Sequence, residues 1–177
     1  MAGLVWLDAF HRDWDDFMPP PAGLAAVEQM APDREQLEQM RPALREMRDE
    51  LLADYPQDVR QPLIDAHESG EWIHAGVAER TKLAELATEL QAGPRVPDVP
   101  VVALTVVGID PGQQALAPDR TLQEMNDGKT KMDAALVNAV SHGEQRIISN
   151  TAHHRLCFDR PDAVVQAIRD VVDRARP

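Results

Sequence analysis

Arg146-Ile147-Ile148-Ser149-Asn150-Thr151-Ala152-His153-His154-Arg155-Leu156-Cys157-Phe158-Asp159-Arg160-Pro161 decides how this chain is read. A short apolar strand ends near Ile148, two imidazoles follow on a loop, and Asp159-Arg160-Pro161 opens an amphipathic terminal helix. Pro161 stands near the first turn of that helix, where its missing N–H costs nothing. In an open parallel α/β sheet, ligands and chemistry gather beyond the carboxyl ends of the strands. A histidine on this loop is therefore a candidate general base.

Two further strands stand upstream. Ala2 to Leu7 is a nearly continuous apolar run closed by Asp8, and Val101 to Val107 is a stronger one closed by Gly108-Ile109-Asp110-Pro111. Runs without alternation suit strands covered on both faces, as in parallel sheets. Helical sequence follows each run, so residues 3–8, 101–107 and 145–149 are expected to form three parallel strands in sequential order. In the terminal helix, Val164, Ile168, Val171 and Ala175 are the expected sheet-facing residues.

Between the first two strands the chain changes character. Pro19, Pro20 and Pro21 cannot continue a helix or a central strand, and they mark a stiff exit. Residues from about 24 to 92 read as helical. Asp33 with Gln36 makes a capping box, and Leu37, Met40, Leu44, Met47 and Leu51 form a one-sided stripe that Pro42 should kink or divide. Methionines Met18, Met30, Met40 and Met47 are read as core. A helix from about Val77 to Gln91 stops at Gly93-Pro94. His67 and His74 are too far apart on a helix to hold one metal together and read as solvated, so no metal or cofactor is expected.

Of 177 residues, 30 are acidic and 18 basic, a formal net charge of -12. That balance argues against nucleic acid or an anionic membrane as the partner, since both reward a basic face. Cys157 is the one cysteine and cannot form an internal disulfide, so cytoplasm is the default compartment. The first residues carry no basic region and too short an apolar run to span a bilayer.

The order of strand, small residues, His, alternating apolar positions and Asp-Arg-Pro before a helix resembles the last strand, histidine loop and last helix of the α/β-hydrolase fold. Ala2 to Ala9, followed by His11 and Asp13-Trp14, is similar to the strand after the nucleophile helix of that family; an ordinary buried first strand would read the same way. The resemblance implies a truncated α/β-hydrolase-like fold, a three-stranded parallel sheet with a helical cap. It makes 1–19 and 93–177 the C-terminal part of the core, and 20–92 the cap insertion. It implies His154 as the catalytic histidine, five residues before Asp159, with His153 in a slot usually held by a small residue. Asp110 matches the triad acid; Asp119 and Asp8 are the alternatives.

The family's first five strands, oxyanion loop and nucleophile elbow have no counterpart among these residues. Ala139-Val140-Ser141-His142-Gly143 has a superficial likeness to the elbow, but the order of strand and helix around it is reversed. The resemblance therefore implies the C-terminal half of a hydrolase acting on a small-molecule ester or related bond, inactive until a nucleophile-bearing half completes it. The alternative is a non-catalytic binding or assembly module on the same fold. Strand 3–8, apolar and without the charges or prolines that protect edges, is expected to self-associate if it lies at the sheet edge.

Overall fold

The computed structural model describes residues 2–109, 111–114 and 117–176. The elements run β1 (Leu4–Leu7), α1 (Trp14–Phe17), α2 (Leu24–Met30), α3 (Arg34–Leu51), α4 (Gln57–His67), α5 (Gly70–Arg80) and α6 (Leu83–Ala92). They continue with β2 (Val101–Val106), α7 (Pro111–Gln114), α8 (Asp119–Asn138), β3 (Gly143–Ile148), α9 (Leu156–Asp159) and α10 (Pro161–Arg174). The chain divides into two compact units, one of residues 1–24 with 86–177 and one of residues 25–85.

The first unit is built on a three-stranded parallel sheet in the order β1-β2-β3. Leu4 aligns with Val101, and Val101 with Gly143, so all three strands begin level. All six residues of β2 are buried, as its unbroken apolar run requires for a strand covered on both faces. β1 has the same kind of sequence, yet its four residues are only half-buried. The difference is positional: among the described residues β1 pairs with β2 alone.

Helices cover both faces of this sheet. On one side Val102, Leu104, Val106 and Ile148 pack with Leu156, Ala167 and Val171 of the terminal segment. On the other, Val101 and Ala103 pack with Leu136 and Val137 of α8, joined by Leu4 and Trp6. α10 is phased differently from expectation: Ala167 and Val171 are buried, while Ile168 is 48% exposed. The small Ala167 lets the helix lie close on the sheet and turns Ile168 to the flank. β3 starts two residues earlier than expected, taking in Gly143 and Glu144. A Cβ on Gly143 would come within 1.9 Å of the Val137 carbonyl oxygen, so the tight passage from α8 into β3 requires glycine.

The second unit is helical. The Asp33 side chain accepts from Gln36 N at 2.8 Å while the Gln36 side chain accepts from Asp33 N at 2.9 Å, completing the capping box that opens α3. Pro42 does not divide this helix, which runs 18 residues through it. One lost backbone bond is outweighed by those on either side. Met30 and Met40 are exposed, against the core role expected of them. The helical run breaks between His67 and Gly70, where Ser69 caps α5 by accepting from Trp72 N at 3.1 Å. The helix expected from Val77 to Gln91 is two helices, α5 and α6, parted after Arg80.

Candidate functional site

At the carboxyl end of β1 the chain turns sharply, and Asp8 adopts φ +46°, the left-handed region that aspartate tolerates better than most residues. The turn keeps Asp8 N on the Leu104 carbonyl at 3.0 Å and swings the side chain over the end of β2. There Oδ1 accepts from Val106 N at 3.1 Å. Oδ2 accepts from Lys129 Nζ of α8 at 3.0 Å and from His153 Nδ1 at 3.0 Å. Lys129 also donates to the Val106 carbonyl. One carboxylate thus joins β1, β2, α8 and the loop after β3.

Burial pushes the Asp8 carboxyl up, but the His153 hydrogen bond, the charge and hydrogen bond of Lys129 and the Val106 N–H together hold it below its ordinary value. Asp8 is therefore the ionised acceptor, and His153 must donate from Nδ1. That leaves Nε2 as the basic nitrogen. The His153 side chain is 58% exposed while Asp8 is buried, so the imidazole presents this nitrogen outward from a fixed anchor.

The loop carrying His153 is held from two sides. A Cβ on Gly108 would meet the Thr151 carbonyl oxygen at 2.0 Å, so the segment after β2 lies directly against the segment after β3. Thr151 Oγ1 donates to Asp159 Oδ2 at 2.7 Å, and Arg155 Nε donates to the same oxygen at 3.1 Å. These bonds fold residues 153–155 into a 3-10 turn against the start of α9.

A second carboxylate lies behind the first. Asp133, one helical turn beyond Lys129 on α8, is 1% exposed and accepts from Thr105 Oγ1 at 2.7 Å. Gln145 Nε2 donates to Thr105 Oγ1 at 2.8 Å and to the Thr130 carbonyl at 3.0 Å. Burial pushes the Asp133 carboxyl up to about 6, with the Asp8 charge adding to the rise and Thr105, the Trp6 indole and Lys129 opposing it. Trp6 Nε1 and Asp133 Oδ1 are both buried without a partner in ordinary hydrogen-bond geometry, so the indole acts on the carboxylate at longer reach.

Asp110, the expected acid, lies outside the described residues. His154 is exposed, and its charge helps to lower Asp159 behind the larger effects of Arg155 and Thr151. Among the described residues, the candidate acid seen to meet a histidine is Asp8, the third of the candidates, and the histidine it meets is His153. Asp119 begins α8, where it accepts from Gln114 at 3.4 Å. Ser141 is engaged by Asp98 through its N–H and hydroxyl, ahead of the amino end of β3. Cys157 is exposed.

Lys129 and Asp133 were not foreseen. Their signal is in the sequence of α8, where they interrupt the apolar set Met125, Met132 and Leu136. A groove of about 400 Å³ lies beside this site, lined by Val107, Ile109, Asn126, Thr130 and Ile147 among others. Among the described residues no cluster of three or more His, Cys, Asp or Glu could hold a metal ion, and no helix is long and apolar enough to cross a membrane. No protein family model, curated protein or solved structure matches the chain.

Proposed function

We propose that these residues are the C-terminal part of an α/β-hydrolase, supplying the histidine base and its carboxylate partner to a nucleophile that lies outside them. The observation that carries this reading is the His153 Nδ1 contact with Asp8 Oδ2 at 3.0 Å, made where two parallel strands end. A base of this kind takes the hydroxyl proton of the nucleophile on Nε2 as the substrate carbonyl is attacked. The carboxylate then stabilises the imidazolium until the proton passes to the leaving group. The substrate class is a small molecule with an ester or related bond, and the family resemblance makes residues 20–92 the cap insertion. No nucleic acid or membrane belongs to this reading, and the lone Cys157 and the acidic charge suit the cytoplasm.

Family resemblance assigns the base to His154 with Asp110, which lies outside the described residues; among those described, the contact made is that of His153 with Asp8. The two assignments separate in one experiment. The chain is joined or co-expressed with a nucleophile-bearing segment and assayed on p-nitrophenyl esters. His153→Ala is expected to lower kcat/KM by roughly three to four powers of ten, with His154→Ala having little effect. The reverse pattern transfers the role to His154, and indifference to both removes the hydrolase reading.

One observation favours a non-catalytic module: Lys129 already neutralises the oxygen that His153 uses. Under that reading His153→Ala alters stability alone, and no supplied segment yields activity.

A further inference from the structure

We propose that Trp6 and Asp133 form a proton-controlled latch between β1 and α8: the pair is open while the carboxyl holds its proton, and closes through a Trp6 Nε1–H to Asp133 Oδ1 hydrogen bond when that proton leaves. The inference does not depend on the hydrolase reading. It begins with the register of the sheet. Trp6 stands opposite the small Ala103, and it packs against the cluster of Val101, Ala103, Leu136 and Val137 in the layer between the sheet and α8. Thr105, two residues past Ala103 on the same face of β2, holds Asp133 in that layer.

The hydrogen bonds around Asp133 decide where its proton sits. Gln145 Nε2 donates to Thr105 Oγ1 at 2.8 Å, and the hydroxyl gives its own hydrogen to Asp133 Oδ2 at 2.7 Å. Oδ2 is an acceptor in either state, so a proton on the carboxyl belongs to Oδ1. Asp133 Oδ1 and Trp6 Nε1 are both buried, and neither has a hydrogen-bond partner among the described residues. An indole N–H can only donate, whereas a carboxyl O–H donates and a carboxylate oxygen accepts. When protonated, Oδ1 meets the indole donor to donor, and the two stay unbonded. When ionised, it becomes the acceptor that the indole lacks.

The groups that face the pair set where it switches. Asp8, from the turn after β1, adds its charge in favour of the protonated form, and Lys129 of α8 opposes it. Lys129 is itself held by Asp8 and the Val106 carbonyl. His11 meets the Trp6 ring edge-on with centroids 5.8 Å apart, while β2 and β3 contribute the neutral Thr105 and Gln145. Burial carries the Asp133 carboxyl up to about 6, so the latch changes state close to neutrality. The consequence reaches the site through β1, since Trp6 precedes Asp8 by two residues. Closure ties a second point of this strand to α8 beside the Lys129–Asp8 pair, and the anchor of His153 is firmer above the switch than below it.

Proton–nitrogen NMR of the three tryptophan indoles in the full chain, followed through the pH range around 6, tests this. The Trp6 signal, identified by its loss in Trp6→Phe, is expected to move downfield as pH rises, with the same midpoint as the Asp133 carboxyl carbon. Asp133→Asn puts an amide N–H where the acid has its O–H, and should hold the signal at its low-pH position. His11→Gln and His153→Ala should leave the movement in place. Trp6→Phe should in turn raise the Asp133 midpoint, because it removes a bond to the ionised form. A Trp6 signal that does not move with pH would overturn the proposal. So would one that moves in Asp133→Asn as in the parent, or one whose movement either histidine variant abolishes. If Asp133→Asn does not fold, the parent decides alone, and unequal midpoints for Trp6 and Asp133 rule the latch out.

Discussion

His153 Nδ1 and Asp8 Oδ2 lie 3.0 Å apart although 145 positions separate them in the chain. Both ends of that contact are built by the backbone: Asp8 by its left-handed turn at the end of β1, and His153 by the 3-10 turn after β3. The exposed imidazole is thereby oriented by a buried carboxylate.

Asp8→Asn separates the charge from the turn, since asparagine tolerates the left-handed conformation. It leaves the Lys129 ammonium beside a neutral amide, and removing one partner of a buried pair costs about 3 kcal/mol. Asp8→Ala should cost roughly 1 kcal/mol more, because alanine lacks that tolerance. Urea unfolding followed by circular dichroism measures both, and equal losses would mean that the turn imposes no strain.

The strands were legible because β2 is an uninterrupted apolar run and β1 nearly so, and Asp33 with Gln36 announced the start of α3. That His153 meets Asp8 was not. Neighbouring side chains of a 3-10 turn point about 120° apart, so one of them reaches Asp8, and which one depends on how Thr151 and Asp159 pin the loop. Lys129 and Asp133 were hidden for a related reason: on a helix with many exposed polar residues, two that face inward are recognised only by what they meet.

Asp133 should give the protein an inverse pH dependence. Its carboxyl titrates at about 6 when folded, against 3.8 as an ordinary aspartate, so the folded state holds the proton longer than the unfolded one. Its contribution is complete below 3.8 and is lost as pH rises through about 6. Asp8 works the other way: its folded value is lowered, so its contribution is present above 3.8 and lost as pH falls through the lower value. Asp133→Asn should flatten the decline between these limits and be at least as stable as the parent in mildly alkaline solution. Unfolding midpoints measured across this range, falling equally in parent and variant, would contradict this origin.

Gly108→Ala should disturb the site without touching a polar side chain. The new methyl would collide with the Thr151 backbone, which must retreat and carry the histidine loop with it. Overpacking of this kind costs about 2 kcal/mol. Thermal denaturation measures the loss, and a complemented enzyme should also lose rate. Unchanged stability would show that the two loops do not press on one another.

The most direct test is long-range proton–nitrogen correlation of the histidine rings in the full chain by NMR, in mildly alkaline solution. His153 is expected to carry its proton on Nδ1, and Asp8→Asn is expected to abolish that preference while the His154 signals stay in place. A His153 ring protonated on Nε2, or an Asp8→Asn variant that moves His154 and leaves His153 unchanged, would contradict the pairing from which the proposed chemistry is derived.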